Sequence, residues 1–142
     1  MTELPSRAEF AAIARGFDRN PARSFSLRKE AYTDPRWHRV DQDGILARNW
    51  QWVCHVEKLR QPGAYVTAEI AGRPIALVRD RDGALRAFYN VCKHRAHELL
   101  SGEGTTSRIM CPYHAWVYRL DGQLVRAPHT ETLEDFSTGD IC

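Results

Sequence analysis

Two short stretches, NVCKHRAHELL and IMCPYHAWVY, each pair one cysteine with one histidine at close spacing: Cys92 with His94 in the first, Cys111 with His114 in the second. Residues 95–110, sixteen in all, separate the two pairs. This pattern narrows the folds open to the chain. Cysteine binds metal as a thiolate and histidine as a neutral imidazole. For all four to serve one centre, the chain has to bring its second stretch back beside its first and hold both as loops on a rigid frame. Two thiolates and two imidazoles hold zinc in structural sites, and mixed cysteine and histidine sets also hold one class of binuclear iron–sulfur cluster. The donors alone do not choose between these.

The surrounding sequence predicts what the frame is made of. From residue 50 onward the chain breaks into short β-like runs at 50–54, 64–70, 74–78 and 84–89, separated by turn residues. Asp82-Gly83 is the clearest hairpin signal, and a second hairpin is expected where 116–119 and 124–125 flank Asp121-Gly122. Residues 1–40 read differently, being rich in Arg, Pro and Ser, with a short helix expected over 8–15. A second helix is expected from Pro35 to Asn49, with Asp34 as its cap and Pro35 in its first turn. Its apolar positions Trp37, Val40, Ile45 and Leu46 make a rough stripe that Gly44 interrupts. The predicted organisation is a helical or extended segment over 1–40 followed by an antiparallel, mainly β domain over 41–142.

Composition excludes several classes. With 142 residues, 43% of them hydrophobic, the chain is long enough to bury a core. Twenty basic residues against eighteen acidic ones leave a formal charge of +2, and the arginines are scattered from Arg7 to Arg126, so no nucleic-acid footprint is expected. No aliphatic run is longer than the four residues 75–78, and the opening MTELPSRAEF has no basic start leading into an apolar stretch. Neither a membrane span nor a signal peptide is therefore expected. Of the four cysteines, Cys54, Cys92, Cys111 and Cys142, two sit in metal-ligand spacings that suit a reducing compartment, which points to the cytoplasm.

The residues around the four donors carry a resemblance. CxHR, then CPYHAW sixteen residues on, then a glycine hairpin closely resembles the Rieske iron–sulfur domain. The resemblance implies a mainly β fold of antiparallel sheets with a two-loop cluster-binding subdomain, and a 2Fe-2S cofactor. By carry-over, Cys92 and Cys111 would hold one iron and His94 and His114 the other. Neutral imidazoles in place of two thiolates make such a cluster less negative and raise its potential above that of all-cysteine clusters. Respiratory-complex members add two cysteines, joined as a disulfide, where this chain has His97 and Tyr113. The resemblance is therefore to the low-potential class, the Rieske non-haem iron oxygenases and their small ferredoxins.

Between those two, YTDPRWHRVDQDGILARNWQWVCHVEKL resembles the segment that oxygenase large subunits place ahead of the Rieske domain. FYNVCKHRAHELLSGEG and CPYHAWVYRLDG resemble the branch acting on carnitine, glycine betaine and other quaternary ammonium compounds. One departure is Lys93, where many relatives have proline. The resemblance implies the electron-input part of an oxygenase, about the front third of a large subunit, with an NAD(P)H-dependent reductase as donor and a homotrimer as assembly. The mononuclear iron, held by two histidines and a carboxylate, belongs to a catalytic domain that this stretch does not contain, so the stretch alone is not expected to oxygenate a substrate. The alternative is a free-standing Rieske ferredoxin-like carrier or a zinc-binding module.

Other residues carry weaker expectations. Arg95 and Trp116 either shield the cluster and line a subunit contact or simply pack their loops. His97 is a candidate to support His94 from behind. Cys54 reads as a buried strand residue and not a ligand, and His38, His55 and His129 read as isolated.

Overall fold

The computed structural model describes residues 3–141, so Cys142 lies outside the described residues. Backbone contacts divide the chain into two units, Met1–Gln51 and Trp52–Cys142.

The first unit is helical. α1 (Arg7–Ile13) starts where Ser6 accepts a hydrogen bond from the Glu9 amide while the Glu9 carboxylate takes the Ser6 amide, a reciprocal cap that satisfies two otherwise orphan donors. A single 3-10 turn, Ala14–Gly16, extends it. After the short α2 (Glu30–Thr33) comes α3 (Pro35–Gly44), capped by the Asp34 carboxylate on the Arg36 amide with Pro35 in the first turn, as expected. This helix ends earlier than the sequence suggests. Gly44 has the weakest helix propensity of its neighbours, and only a 3-10 turn, Leu46–Arg48, follows it. Trp37 is the buried residue of α3 and meets Phe10 edge-on at 4.7 Å, while Arg36 reaches both Glu9 (2.9 Å) and Asp34 (2.8 Å).

The second unit holds two antiparallel sheets, matching the predicted fold class. The first sheet has the order β3-β2-β1-β4, with β1 Ala64–Ile70, β2 Arg73–Arg79, β3 Leu85–Tyr89 and β4 Glu103–Thr105. β1 and β2 pair from Tyr65↔Val78 to Ile70↔Arg73 around Ala71-Gly72, both at positive φ, the backbone that a two-residue hairpin demands. The Asp82-Gly83 turn joins β2 to β3 as expected, with Gly83 at φ 82°. The second sheet runs β5-β6-β7, with β5 Ile109–Met110, β6 Val117–Tyr118 and β7 Leu124–Arg126, and Asp121-Gly122 closes its predicted hairpin.

Residues 50–54 are not a strand. Among the described residues they have no partner strand, and Trp50 and Trp52 stand exposed. The run is rich in strand-favouring residues, but a strand needs a neighbour for its backbone donors and acceptors. β4 and β5 were not anticipated. The larger core gathers Ile109, Leu124, Val78, Trp116 and Tyr118, and Cys92 and Cys111 are part of it. No helix among the described residues is long and apolar enough to cross a membrane.

Candidate metal centre

The frame delivers the two cysteine–histidine segments as loops, the first leaving β3 and the second linking β5 to β6. Both loops are built the same way. In the first, the Cys92 amide donates to the His97 carbonyl (2.7 Å) and the Ala96 amide donates to the Cys92 carbonyl (2.8 Å). In the second, the Cys111 amide donates to the Trp116 carbonyl (2.8 Å) and the Ala115 amide to the Cys111 carbonyl (3.0 Å). Each turn is tight enough to force an alanine into the left-handed region, Ala96 at φ 52° and Ala115 at φ 55°. That conformation costs an L-residue roughly 1–2 kcal/mol and persists only where its surroundings impose it.

The base of the first loop is locked by Asn90, a residue the sequence reading passed over. Its side chain is wholly buried, donates to the Leu100 carbonyl (2.7 Å) and the Glu98 carboxylate (3.1 Å), and accepts from the Leu100 amide (3.0 Å). One amide thus closes an eleven-residue turn of chain, residues 90–100, at its neck. The available signal was a lone Asn directly after a β run and two residues before the first cysteine.

The four predicted donors divide by depth. Cys92 and Cys111 are each 2% exposed, whereas His94 is exposed and His114 half-buried. The two imidazoles face each other across the loops with ring centroids 4.6 Å apart, inclined by 73°. Trp116 is buried and stacks nearly parallel on His94, 4.9 Å between centroids, so it covers that ring and packs its loop at once. The Nδ1 atom of His114 is buried without a hydrogen-bond partner among the described residues. Buried polar atoms are ordinarily paired, so this ring nitrogen is one that a bound metal could satisfy. Burial is the main cause that lowers the His114 pKa, followed by repulsion from His94, Arg95, His129 and His97. The imidazole is therefore neutral near pH 7, the form that ligates metal.

Tyr118 was also missed by the sequence reading. Its hydroxyl lies 3.2 Å from Cys92 Sγ and accepts the Lys93 amide at 3.0 Å. Burial above all, with the adjoining Cys92 next, pushes the phenol pKa up, so the hydroxyl keeps its proton. His129, expected to be isolated, comes near enough to weigh on His114. His97 points Nδ1 at the Glu98 carbonyl (2.7 Å) and meets Tyr113 ring to ring at 5.6 Å. The positions read as lacking a disulfide thus hold an aromatic contact. The remaining expected bystanders stay apart. Cys54 packs, half-buried, against Leu59, Ala64 and Val66, His38 is exposed on α3, and the His55 ring accepts the Glu57 amide (3.3 Å) at the start of a turn.

The donor set was compatible with zinc or with a binuclear cluster. A single zinc ion needs four donors converging on one point. Among the described residues, no three His, Cys, Asp or Glu gather tightly enough to hold one metal ion. A 2Fe-2S group asks less of each point, because each iron takes only two protein ligands and bridging sulfides supply the rest. Two deep thiols, two shallower imidazoles and one orphaned ring nitrogen fit that group.

Comparison with known proteins agrees. The carnitine monooxygenase oxygenase subunit of Escherichia coli (strain K12) is 42% identical over 127 residues, which is 89% of this chain and 34% of that protein. The glycine betaine monooxygenase oxygenase subunit of Pseudomonas aeruginosa (strain UCBPP-PA14) is 35% identical over 133 residues, 93% of this chain and 30% of that one. The chain thus spans about a third of the length of these curated relatives. A solved quaternary ammonium Rieske monooxygenase, described in terms of carnitine oxidation by gut microbiota and inter-subunit electron transfer, superposes with a TM-score of 0.84 at 37% identity, covering 99% of this chain and 37% of that one. A family model described as the Rieske [2Fe-2S] domain matches residues 49–137, well over half of the chain and both loops with their sheets. On the paired loops, the donor chemistry and that match together, the chain belongs to the Rieske [2Fe-2S] domain family.

Proposed function

We propose that Cys92 and Cys111 hold one iron of the cluster and His94 and His114 the other, and that this chain is the electron-input domain of an oxygenase subunit acting on a quaternary ammonium compound. The observation that carries the ligand assignment is the division by depth: buried thiols in twin loops, with imidazoles toward the surface and the His114 Nδ1 unpaired. When bound, the cluster supplies one-electron redox chemistry. The chain's residues hold and insulate it. Buried Cys92 and Cys111 keep water from the sulfur side, and Trp116 covers one face of His94. The exposed His94 is the edge nearest a partner.

The substrate class rests on the likeness to carnitine and glycine betaine monooxygenase oxygenase subunits. The same likeness supports an NAD(P)H-dependent flavin and iron–sulfur reductase as donor, a homotrimer for the whole subunit, and a catalytic domain elsewhere in it carrying the mononuclear iron. Thiols free at Cys54, Cys92 and Cys111 suit a cytoplasmic setting.

Protein purified without oxygen should contain two irons and two acid-labile sulfides per chain, as the cluster's composition requires. Its reduced form should give the anisotropic EPR signal of a mixed-valence pair with imidazole on one iron, and reductase with NAD(P)H should bleach its visible spectrum. Cys92→Ser and Cys111→Ser should abolish the cluster while Cys54→Ala keeps it. Zinc without sulfide, or cluster loss in Cys54→Ala, would overturn the assignment.

A further inference from the structure

The two loops must hold one centre, yet Cys54, Cys92 and Cys111 are all free and no disulfide ties the loops among the described residues. Their buried flank is secured by the core, where Trp116 is only 5% exposed and stacks on His94 from the opposite loop. The solvent flank has no such packing. There the rings of His97 and Tyr113 meet across the loops, centroids 5.6 Å apart and planes tilted by 45°. That separation lies inside the range in which aromatic pairs attract beyond the area they bury.

Each partner is fixed on its own side. A carbonyl can only accept, so His97 Nδ1 carries the proton it donates to Glu98 (2.7 Å), and this sets both the tautomer and the ring plane. The His97 carbonyl also receives the Cys92 amide (2.7 Å), which ties that residue to the first cysteine. Tyr113 lies against His114 with centroids 3.8 Å apart, so one ring touches both His97 of the first loop and His114 of the second. Tyr113 is 54% exposed, so burial alone does not explain why it lies there.

We propose that His97 and Tyr113 form a non-covalent brace across the solvent side of the cluster loops, and that both are positioning residues which keep His114 turned toward the cluster. The proposal rests on the reading of His114 as an iron ligand. Opening of the brace frees the shallower of the two loop edges first, so iron should leave from the histidine side.

The test uses protein with its cluster assembled under anaerobic conditions. It follows iron release to excess chelator by the decay of visible absorbance, records the EPR spectrum of the reduced form, and measures the unfolding midpoint of the apoprotein. His97→Ala and Tyr113→Ala should each speed release by about three- to ten-fold, the scale of one aromatic pair. The double variant should be no faster than the faster single one, because both remove the same contact. The reduced EPR line shape should change in both single variants, while the apoprotein midpoint falls by no more than the loss of one aromatic pair accounts for. Tyr113→Phe should behave as the wild type, since the ring and not the hydroxyl makes the contact. Wild-type release in His97→Ala alongside fast release in Tyr113→Ala would overturn the brace, because Tyr113 would then act on His114 alone. Multiplying effects in the double variant would overturn it too. If Tyr113→Ala assembles no cluster, Tyr113→Phe decides: normal release supports the brace and loss of the cluster overturns it. A wild-type protein without iron and sulfide overturns the ligand assignment and the brace together, whereas unchanged variants overturn the brace alone.

Discussion

Tyr118→Phe removes one hydroxyl from the buried side of the cluster site and leaves the ring in place. The Lys93 amide already occupies the Tyr118 oxygen as donor, at 3.0 Å, so the single phenolic proton is free to point at Cys92 Sγ, 3.2 Å away. Once Cys92 binds iron it is a thiolate and can only accept, which fixes the direction of that bond. Because burial raises the phenol pKa, the proton stays on Tyr118 throughout the workable pH range. Hydrogen bonds to charged groups contribute about 1.5–3 kcal/mol. Reduction adds one electron spread over two irons. If about half of the bond's strength answers to that added charge, Tyr118 favours the reduced state by roughly 0.7–1.5 kcal/mol. At about 59 mV per 1.4 kcal/mol for a one-electron couple, the midpoint potential of Tyr118→Phe should fall by roughly 30–60 mV. A mediated redox titration read by EPR at pH 7 measures this, with iron content checked to match the wild type. An unchanged or higher potential with the cluster intact would refute the reasoning, since it would mean that the hydroxyl does not donate to Cys92.

Asn90→Ala deletes three hydrogen bonds at a wholly buried position and strands both backbone groups of Leu100, so urea unfolding should register a loss of about 3 kcal/mol. Asn90→Asp should also destabilise, because a carboxylate cannot donate to the Leu100 carbonyl. Ala115→Gly relieves a left-handed alanine (φ 55°) and should raise apoprotein stability by about 1 kcal/mol; a lower melting temperature would show that the turn carries no strain. In the helical unit, hydrogen bonds from Ser6 and then Arg36 lower the Glu9 pKa, and those from Arg36 lower that of Asp34. Carboxylates with depressed folded values stabilise above their unfolded pKa, and that contribution is lost as pH falls through the folded value. Protection of the α1 and α3 amides against hydrogen exchange, taken relative to the intrinsic rate at each pH, should therefore fall as the pH drops below the ordinary carboxylate range, and Arg36→Met should remove much of that pH dependence. The groups are only half-buried, so the effect should be modest and weaker in high salt.

Local physics was legible in the sequence. Asp34 before Pro35 and the Asp82-Gly83 and Asp121-Gly122 turns act through bonds and sterics within a few residues, and the structure has a cap and two hairpins at those places. The two Cys/His spacings likewise marked which loops matter, because ligand chemistry is written in residue type. Where partners lie far along the chain, the sequence was silent or misled. Residues 50–54 are composed like a strand but pair with no strand among the described residues, while β4 is exposed throughout, yet pairs with β1 across Ala64↔Thr105. Tyr118 meets Cys92 over a separation of 26 residues, and Asn90 meets Leu100 over 10. His97 and Tyr113 read as two missing cysteines until folding brought their rings together. The sequence by itself determined the candidate donors and the turns that present them. Only the tertiary structure decided which side chains surround those donors, because contacts between distant residues are set by packing of the whole core and not by any neighbour's identity.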